Sequence, residues 1–488
     1  MLNIDQKKFE KNHRNKKNQV LFFKIKTNGE KEIQNLINNF LIEENSFIFE
    51  SVEKGVIKGR YTIFGKNPDK IWEFNNNKVF SIVSNKKKIL KGKPAIILSE
   101  IIEKFKFNTP KNIPNISSLI SGYFSYDIIR YIEKIPNTCK DDLKIPDIRL
   151  LRPTTLVIYD NLKKEMYFIK NCFIDKKIRN YQKEYNNICD ELNSILVLSK
   201  ISYSKKNNKK YKVKIKSNIS KQKFINMVKK AKNYIKIGDI FQVVLSQRFE
   251  AKLYKEPLDI YKKLRITNPS PFMFYFNFSD FQIIGSSPEI LVRLRNKKIT
   301  IRPIAGTRPR GTNKNQDKFF ENDLLKDKKE LAEHLMLLDL GRNDVGKISK
   351  INSVKITEKF KVEKYSHVMH IVSNVEGKSN KKYSKFETLM AGFPAGTVSG
   401  APKIRAMEII DELEKNNRKF YAGGIGYFSA NGDFDTCIAL RTALTKNKRF
   451  YIQAGAGVVA DSQPIKEYNE TVNKAKALIK ALEKWKFF

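Results

Sequence analysis

Cysteine is scarce: the 488 residues contain four, Cys139, Cys172, Cys189 and Cys437, none in a Cys-x-x-Cys pair. That excludes a disulfide framework and a zinc site of that spacing, and it makes a reducing compartment the default. No run approaches the roughly 18 uncharged apolar residues of a membrane span. The opening residues, Met1-Leu2-Asn3-Ile4-Asp5-Gln6-Lys7-Lys8, have no apolar core of signal-peptide length. A soluble cytoplasmic protein is expected. Acidic residues are also in deficit, with 51 Asp and Glu against 94 Lys and Arg, a formal charge of +43. Taken alone, such an excess suggests nucleic acid or an anionic membrane as partner. Its distribution argues otherwise, because the lysines run from Lys7 to Lys486 interleaved with asparagine and isoleucine, as in Lys205-Lys206-Asn207-Asn208-Lys209-Lys210. AT-rich codon usage produces that diffuse pattern, and solvated lysines are ordinary. A basic nucleic-acid-binding protein is the alternative of a different class, and it predicts retention on DNA or RNA that falls steeply with salt.

What is present is enough for a large core: 41% of the chain is hydrophobic and 11% aromatic. Short β-rich runs dominate the first part, for example Phe47 to Val52 and Thr155 to Tyr159, with a helix-like stretch near Glu30 to Leu41. An amphipathic helix pattern covers Ile178 to Leu198, and the polar, lysine- and asparagine-rich segment 202–217 reads as a linker between regions 1–201 and 218–488. Beyond it, Ser220 is placed to cap a helix over Lys221 to Ile237 that stops at Gly238. Strand-like runs follow at Phe241 to Ser246, Phe272 to Phe278, Phe281 to Ile284, Ile299 to Ile301, Ile438 to Leu444 and Arg449 to Ala454. Helices alternate with them irregularly, without a tandem repeat or a strict βαβ rhythm. The pattern predicts a mixed α+β fold with large antiparallel sheets.

Two segments pair carboxylates at helical spacing, Glu330 with Glu333 and Glu467 with Glu470. Each pair shares one helix face, and two such faces brought together could hold Mg²⁺, which takes oxygen ligands and keeps waters that a substrate carboxylate can displace. Singly, each is as well read as a solvated face, and Glu470 with Lys474 as an ordinary i,i+4 pair. Three small-residue segments, around Gly306-Thr307, over Gly396 to Lys403 and at Gly455-Ala456-Gly457, would let backbone N–H groups approach an anion. In the second, Ser399 is placed as N-cap with Pro402 in the first turn, although none of the three fits a P-loop or dinucleotide fingerprint. His367 and His370, three apart, are candidates for proton transfer. So is Glu289, which follows a Ser-Ser-Pro turn; burial would keep its carboxyl protonated, as a general acid requires. Arg441 is one of several arginines in Gly/Pro-punctuated segments of the second half, where a planar donor suits a carboxylate.

Four long segments appear in one order: Gly238-Asp239-Ile240-Phe241-Gln242-Val243-Val244-Leu245-Ser246-Gln247-Arg248-Phe249, Pro303-Ile304-Ala305-Gly306-Thr307-Arg308-Pro309-Arg310-Gly311, Ala332-Glu333-His334 through Arg342-Asn343-Asp344, and Phe393-Pro394-Ala395-Gly396-Thr397-Val398-Ser399-Gly400-Ala401-Pro402-Lys403. They closely resemble the chorismate-utilising enzymes, and within them the large components of anthranilate synthase. The resemblance covers most of the chain from about Ser217 to Ala481 and extends upstream through Glu50-Ser51 and Gly122 to Asp127. It implies an α+β fold of two large, mainly antiparallel sheets packed together and flanked by helices. Sister enzymes that make aminodeoxychorismate carry a nucleophilic lysine where this chain has Ala305. Those that make isochorismate or salicylate carry a water-activating lysine where it has Gln242. In a lysine-saturated chain both absences are informative, and they imply ammonia as the nucleophile. The large component of aminodeoxychorismate synthase is the runner-up.

The resemblance also implies site roles. Mg²⁺ would sit on Glu333 and Glu470, supported by Glu330 and Glu467. Gly306, Thr307, Tyr427, Arg441, Gly455, Ala456 and Gly457 would hold chorismate, with Glu289 as general acid and His370 assisting pyruvate elimination. Glu50 and Ser51, together with Pro271, Phe272 and Met273, resemble the two halves of a site for L-tryptophan as feedback inhibitor, with Phe272 where tyrosine is more usual. No glutamine-hydrolysing triad is visible. Glutamine use would therefore need a separate glutamine amidotransferase subunit, in a heterotetramer of two large and two small subunits.

Overall fold

The computed structural model describes residues 2–53, 56–57, 59–202, 213–365 and 368–483. Among the described residues 22 strands join into one hydrogen-bonded network, with a separate two-stranded ribbon, and the ladders between them are antiparallel. The expected antiparallel α+β architecture is thus met. Strand residues alternate between two apolar cores, as pleating requires. Phe22, Phe47, Ile63, Ile158 and Phe276 face one core, whereas Leu21, Ile48, Phe64, Val157 and Tyr275 face the other. The second core is roofed by helices, including Glu30–Asn39, Tyr181–Lys200, Pro257–Thr267 and Pro464–Glu483. No helix among the described residues is long and apolar enough to cross a membrane.

The early part of the chain is woven into the same network as the late part. Strand Ser46–Glu50 pairs with Phe272–Phe278, and Leu119–Phe124 pairs with Gly424–Ser429. Of the predicted linker, residues 203–212 lie outside the described residues. Its end is not linker, because Ile215–Ser217 forms a strand on Gln242–Lys252. Ser220 caps the Lys221–Lys236 helix through the N–H of Lys223, and Gly238 follows with φ of 88°, the left-handed conformation in which glycine has no Cβ penalty.

Two local expectations are corrected. Ser399 does not cap the next helix: its hydroxyl donates to the Ala395 carbonyl, and Pro402 occupies the N-cap of Lys403–Leu413. The proline lacks an N–H that this end could not have satisfied in any case. The run Ile438 to Leu444 is not one strand. It is broken between Phe434–Ile438 and Thr442–Lys446, with Arg441 at φ of 47° in the turn.

Candidate active site

Helix Lys328–Ile348 carries Glu330 and Glu333, and helix Pro464–Glu483 carries Glu467 and Glu470, as the spacing predicted. Of these acids, Glu333 stands at the small-residue strand Arg449–Val458, and Glu470 is tied to it through Lys474. Glu333 Oε1 accepts a 2.8 Å hydrogen bond from the Gln242 amide. A Cβ at Gly457 would lie 2.8 Å from that amide nitrogen and 3.9 Å from Glu333 Oε1, so glycine leaves the space these groups use. Two residues along, on the same strand face, a Cβ at Gly455 would lie 2.6 Å from the Tyr421 hydroxyl. Lys474 pairs with Glu470 at 2.7 Å and donates to the Gly455 carbonyl at 3.0 Å. The i,i+4 pair is therefore anchored to the strand as well as to its own helix.

The supporting acids are crowded. Glu330 Oε2 comes within 3.2 Å of where a Cβ at Gly306 would stand. Burial raises its carboxyl pKa, with Glu333 and Asp327 adding to the effect. Burial likewise raises Glu467, with Glu470 adding to it against a hydrogen bond from Ser462. Among the described residues no group of three or more acid, histidine or cysteine side chains could enclose a metal unaided. The donor set suits Mg²⁺ nonetheless, since that ion is commonly bound through one or two carboxylates and completes its octahedron with water and ligand oxygens. Glu333 stands at Gly457 and Glu470 is linked to Gly455 through Lys474, and a divalent cation would relieve the repulsion within each pair.

Glu289 lies between strands Phe281–Ser287 and Ile290–Arg295, 5% exposed. Burial pushes its carboxyl up to about 8, against the opposing hydrogen bond from Thr397 Oγ1 at 3.1 Å. It is therefore protonated near neutral pH and can donate. His370, on strand Val368–Lys378, stands opposite Thr307 in the ladder with Ile304–Pro309. Its Nδ1 lies 2.9 Å from the Gly306 carbonyl and 3.1 Å from Thr307 Oγ1. A carbonyl only accepts, so Nδ1 carries the proton and Nε2 is left with a lone pair. Burial holds the ring down at about 4, helped by the Arg441 and Lys474 cations, so it is neutral at physiological pH. His367, its sequence companion, lies outside the described residues.

Arg441 is half-buried, and desolvation lowers its guanidinium pKa. None of the ion pairs among the described residues includes it. A planar cation withdrawn from water without a carboxylate is a ready acceptor for a substrate's. Tyr365 links them: its ring meets His370 edge-on with centroids 5.5 Å apart, Glu289 is among the charges acting on its hydroxyl, and that hydroxyl in turn acts on Arg441.

The structure thus brings together Glu289, His370, Gly306, Thr307 and Arg441, and sets Glu333 at Gly457 and Glu470, through Lys474, at Gly455. It does not bring Tyr427 to them. That ring packs edge-on against Phe49 with centroids 5.8 Å apart, and its hydroxyl sits with Arg295 and Asp435. The tyrosine at Gly455 is Tyr421, whose hydroxyl burial raises to about 12, with Glu470 among the charges acting on it. Sequence reasoning also missed Thr397, Lys474 and the amide of Gln242. In the sequence, Gln242 stands out only as a position that is not lysine.

The two segments assigned to an inhibitor do meet. Glu50 is directly opposite Met273, and the Val52 N–H donates to the Ser270 carbonyl at 3.2 Å. Buried Glu50 accepts from Tyr261 at 2.5 Å and Arg265 at 2.8 Å through Oε1, while its buried Oε2 has no partner among the described residues. Ser51, Pro271 and Phe272 are half-buried beside it, and Met273 is fully buried.

A buried protonated glutamate, an arginine with no ion pair among the described residues and two helices of paired carboxylates suit an enzyme of small anionic substrates, and likeness to known proteins gives its family. The model of the chorismate-binding enzyme family matches residues 45–480, and the chain belongs to that family. It is 44% identical over 485 residues to anthranilate synthase component 1 of Cereibacter sphaeroides, covering 97% of this chain and 96% of that one. It is 45% identical over 391 residues to the protein of that name from Aquifex aeolicus, covering 80% and 79%. The crystal structure of anthranilate synthase component I from Streptococcus pneumoniae superposes with a TM-score of 0.78 at 38% identity, covering 87% of this chain and 93% of that one. The menaquinone-specific isochorismate synthase MenF of Escherichia coli shares the fold at a TM-score of 0.73 and 16% identity, covering 98% and 99%.

Proposed function

We propose that the chain converts chorismate and ammonia to anthranilate, pyruvate and water as component I of an anthranilate synthase. Ammonia adds at ring carbon C2 while the C4 hydroxyl departs as water, and loss of the enolpyruvyl group as pyruvate then aromatises the ring. The observation that carries this reading is Glu289, a buried carboxyl still protonated near pH 7 in the same neighbourhood as an arginine lacking a carboxylate. Glu289 protonates the departing hydroxyl. Arg441 pairs with the enolpyruvyl carboxylate, and the backbone at Gly306-Thr307 and Gly455-Ala456-Gly457 lines the ring's position, with Tyr421 in the place first given to Tyr427. His370 offers Nε2 as the base that assists elimination of pyruvate. Mg²⁺, held by Glu333 and Glu470 with Glu330 and Glu467 behind them, would polarise the substrate through its ring carboxylate.

Support for ammonia rather than water or a lysine amine as nucleophile comes from Gln242 and Ala305. The Gln242 amide is committed to Glu333 and is not a base. Purified chain given chorismate, Mg²⁺ and ammonium is expected to yield blue-fluorescent anthranilate and pyruvate in equal amounts. Accumulation of a 4-amino product would instead establish the aminodeoxychorismate alternative.

The designation of the relatives as component 1 supports a second component here, a glutamine amidotransferase subunit that supplies ammonia in a cytoplasmic heterotetramer. Feedback by L-tryptophan is supported by the unpartnered Oε2 of Glu50, a buried acceptor that an α-ammonium would satisfy. Occupancy there would be linked to the catalytic site through strands shared by both. Ser51→Ala is expected to raise the tryptophan concentration for half-inhibition about tenfold, the cost of roughly one hydrogen bond to a charged group, with uninhibited kcat unchanged. Unaltered inhibition of that variant would remove Ser51 from the site.

A further inference from the structure

Lys403 and Asp344 form a buried ion pair, Nζ to Oδ2 at 2.8 Å, with side chains 12% and 4% exposed. Each charge sits at the wrong end of its own helix. Lys403 is the first residue of Lys403–Leu413, where the macrodipole repels a cation, and Asp344 lies near the C-terminus of Lys328–Ile348, where it repels an anion. Among the described residues Asp344 Oδ1 is buried without a hydrogen-bond partner, its nearest cation being the exposed Lys347 at 3.8 Å. Local helix stability does not explain Lys403, and for Asp344 it offers only the long, exposed i,i+3 contact with Lys347; a buried pair is itself weak evidence of net stabilisation, because desolvating both ions offsets their attraction.

What the pair joins is informative. The segment Gly396 to Lys403 touches the acid at one point, through Thr397 to Glu289. At Gly396 it abuts Leu340 of the Glu333 helix so closely that a Cβ would lie 2.0 Å from Leu340 Cδ2. At Gly400 and Ala401 it forms a ladder with Val243 and Gln242, the residue whose amide holds Glu333. Lys403, at its far end, is clamped to the Glu333 helix by Asp344.

We propose that Asp344 and Lys403 are positioning residues that fix the distance between the general acid and the metal-side carboxylates, setting the turnover rate rather than substrate affinity. This rests on the reading of Glu289 and Glu333 given above. The pair touches no reacting atom. It holds the segment bearing Thr397 in register with the helix bearing Glu333, and a misplacement of about 1 Å is enough to cost roughly a hundredfold in rate.

The test is the double variant Asp344→Leu/Lys403→Met, which removes both charges without stranding either, together with the exchanged pair Asp344→Lys/Lys403→Asp, which places each charge in accord with its helix dipole. The folded apolar double variant is expected to lose about ten- to a hundredfold in kcat, while KM for chorismate and the melting temperature change little. The exchanged pair is expected to recover most of that loss. A folded apolar variant with wild-type kcat overturns the proposal, as does a folded exchanged pair with no recovery. If the apolar variant does not fold, the exchanged pair decides alone: near-wild-type kcat supports the tie and a large loss refutes it. Glu289→Gln measured alongside separates the two readings. An inactive Glu289→Gln with a fully active apolar variant overturns the tie alone, whereas a fully active Glu289→Gln overturns the acid assignment and the tie built on it.

Discussion

Glu289→Gln is expected to lower kcat by about 10²- to 10⁴-fold, the range for loss of a positioned general acid, with the melting temperature held or raised. Glutamine is isosteric and can still accept the Thr397 hydrogen bond, so the pocket keeps its shape while the transferable proton is gone. The uncharged amide also avoids the penalty of ionising a buried carboxyl. The wild-type enzyme carries the matching pH signature. Because Glu289 is raised to about 8, its acid form is available below that pH and is lost as pH rises through it. The rate per free ammonia should therefore fall above about pH 8. Total rate with ammonium as donor is the product of that fall and the rising free-ammonia fraction, so the two must be separated by normalising to free ammonia. A Glu289→Gln enzyme with wild-type turnover, or a normalised rate flat through pH 8, would falsify the acid role.

Glu470→Ala is the second large effect. Glu470 is paired with Lys474, which in turn donates to the Gly455 carbonyl. On the proposed metal site, removing Glu470 takes one of two ion-facing carboxylates and frees the Lys474 ammonium where a divalent cation is expected to bind. The Mg²⁺ concentration for half-maximal rate should rise by more than the roughly 10–100-fold typical of losing an outer partner of a metal ligand. At saturating Mg²⁺ some rate should return. Glu467→Ala, one step back, is expected to shift the same midpoint by less. Equal Mg²⁺ dependence in wild type and Glu470→Ala would remove that glutamate from the site.

The parts of this site legible from the chain are those whose chemistry is local. Glutamates three apart in a helical pattern must share a face, and the Lys328–Ile348 and Pro464–Glu483 helices present them so. A carboxyl after a strand and a Ser-Ser-Pro turn could be aimed inward, and Glu289 is. The misses are all matters of tertiary direction. Tyr421 and Tyr427 flank the same glycine-rich stretch, and nothing local tells which hydroxyl reaches Gly455. Chain geometry decides it, because strand Gly424–Ser429 turns Tyr427 toward Phe49 while Tyr421 precedes that strand. Glycines at 423 and 424 were the available hint, since a Cβ at Gly423 would lie 2.1 Å from the Phe124 carbonyl. Ser399 failed as a cap because Pro402 already ends the segment. Lys474 read as a surface partner of Glu470, and its bond to the Gly455 carbonyl depends on a strand contributed by residues almost twenty positions earlier. The break at Arg441 was hidden in an apolar run, and it is what places this arginine in a left-handed turn rather than within a strand.

The central claim is that two helices far apart in sequence share one divalent ion. Manganese can stand in for magnesium as a paramagnetic probe, and its binding in the presence of chorismate can be followed by electron paramagnetic resonance in wild type, Glu333→Gln and Glu470→Gln. One bound ion per chain in wild type, with binding weakened strongly in each variant, is the expected result. Undiminished Mn²⁺ binding in either variant would contradict a site built from both helices.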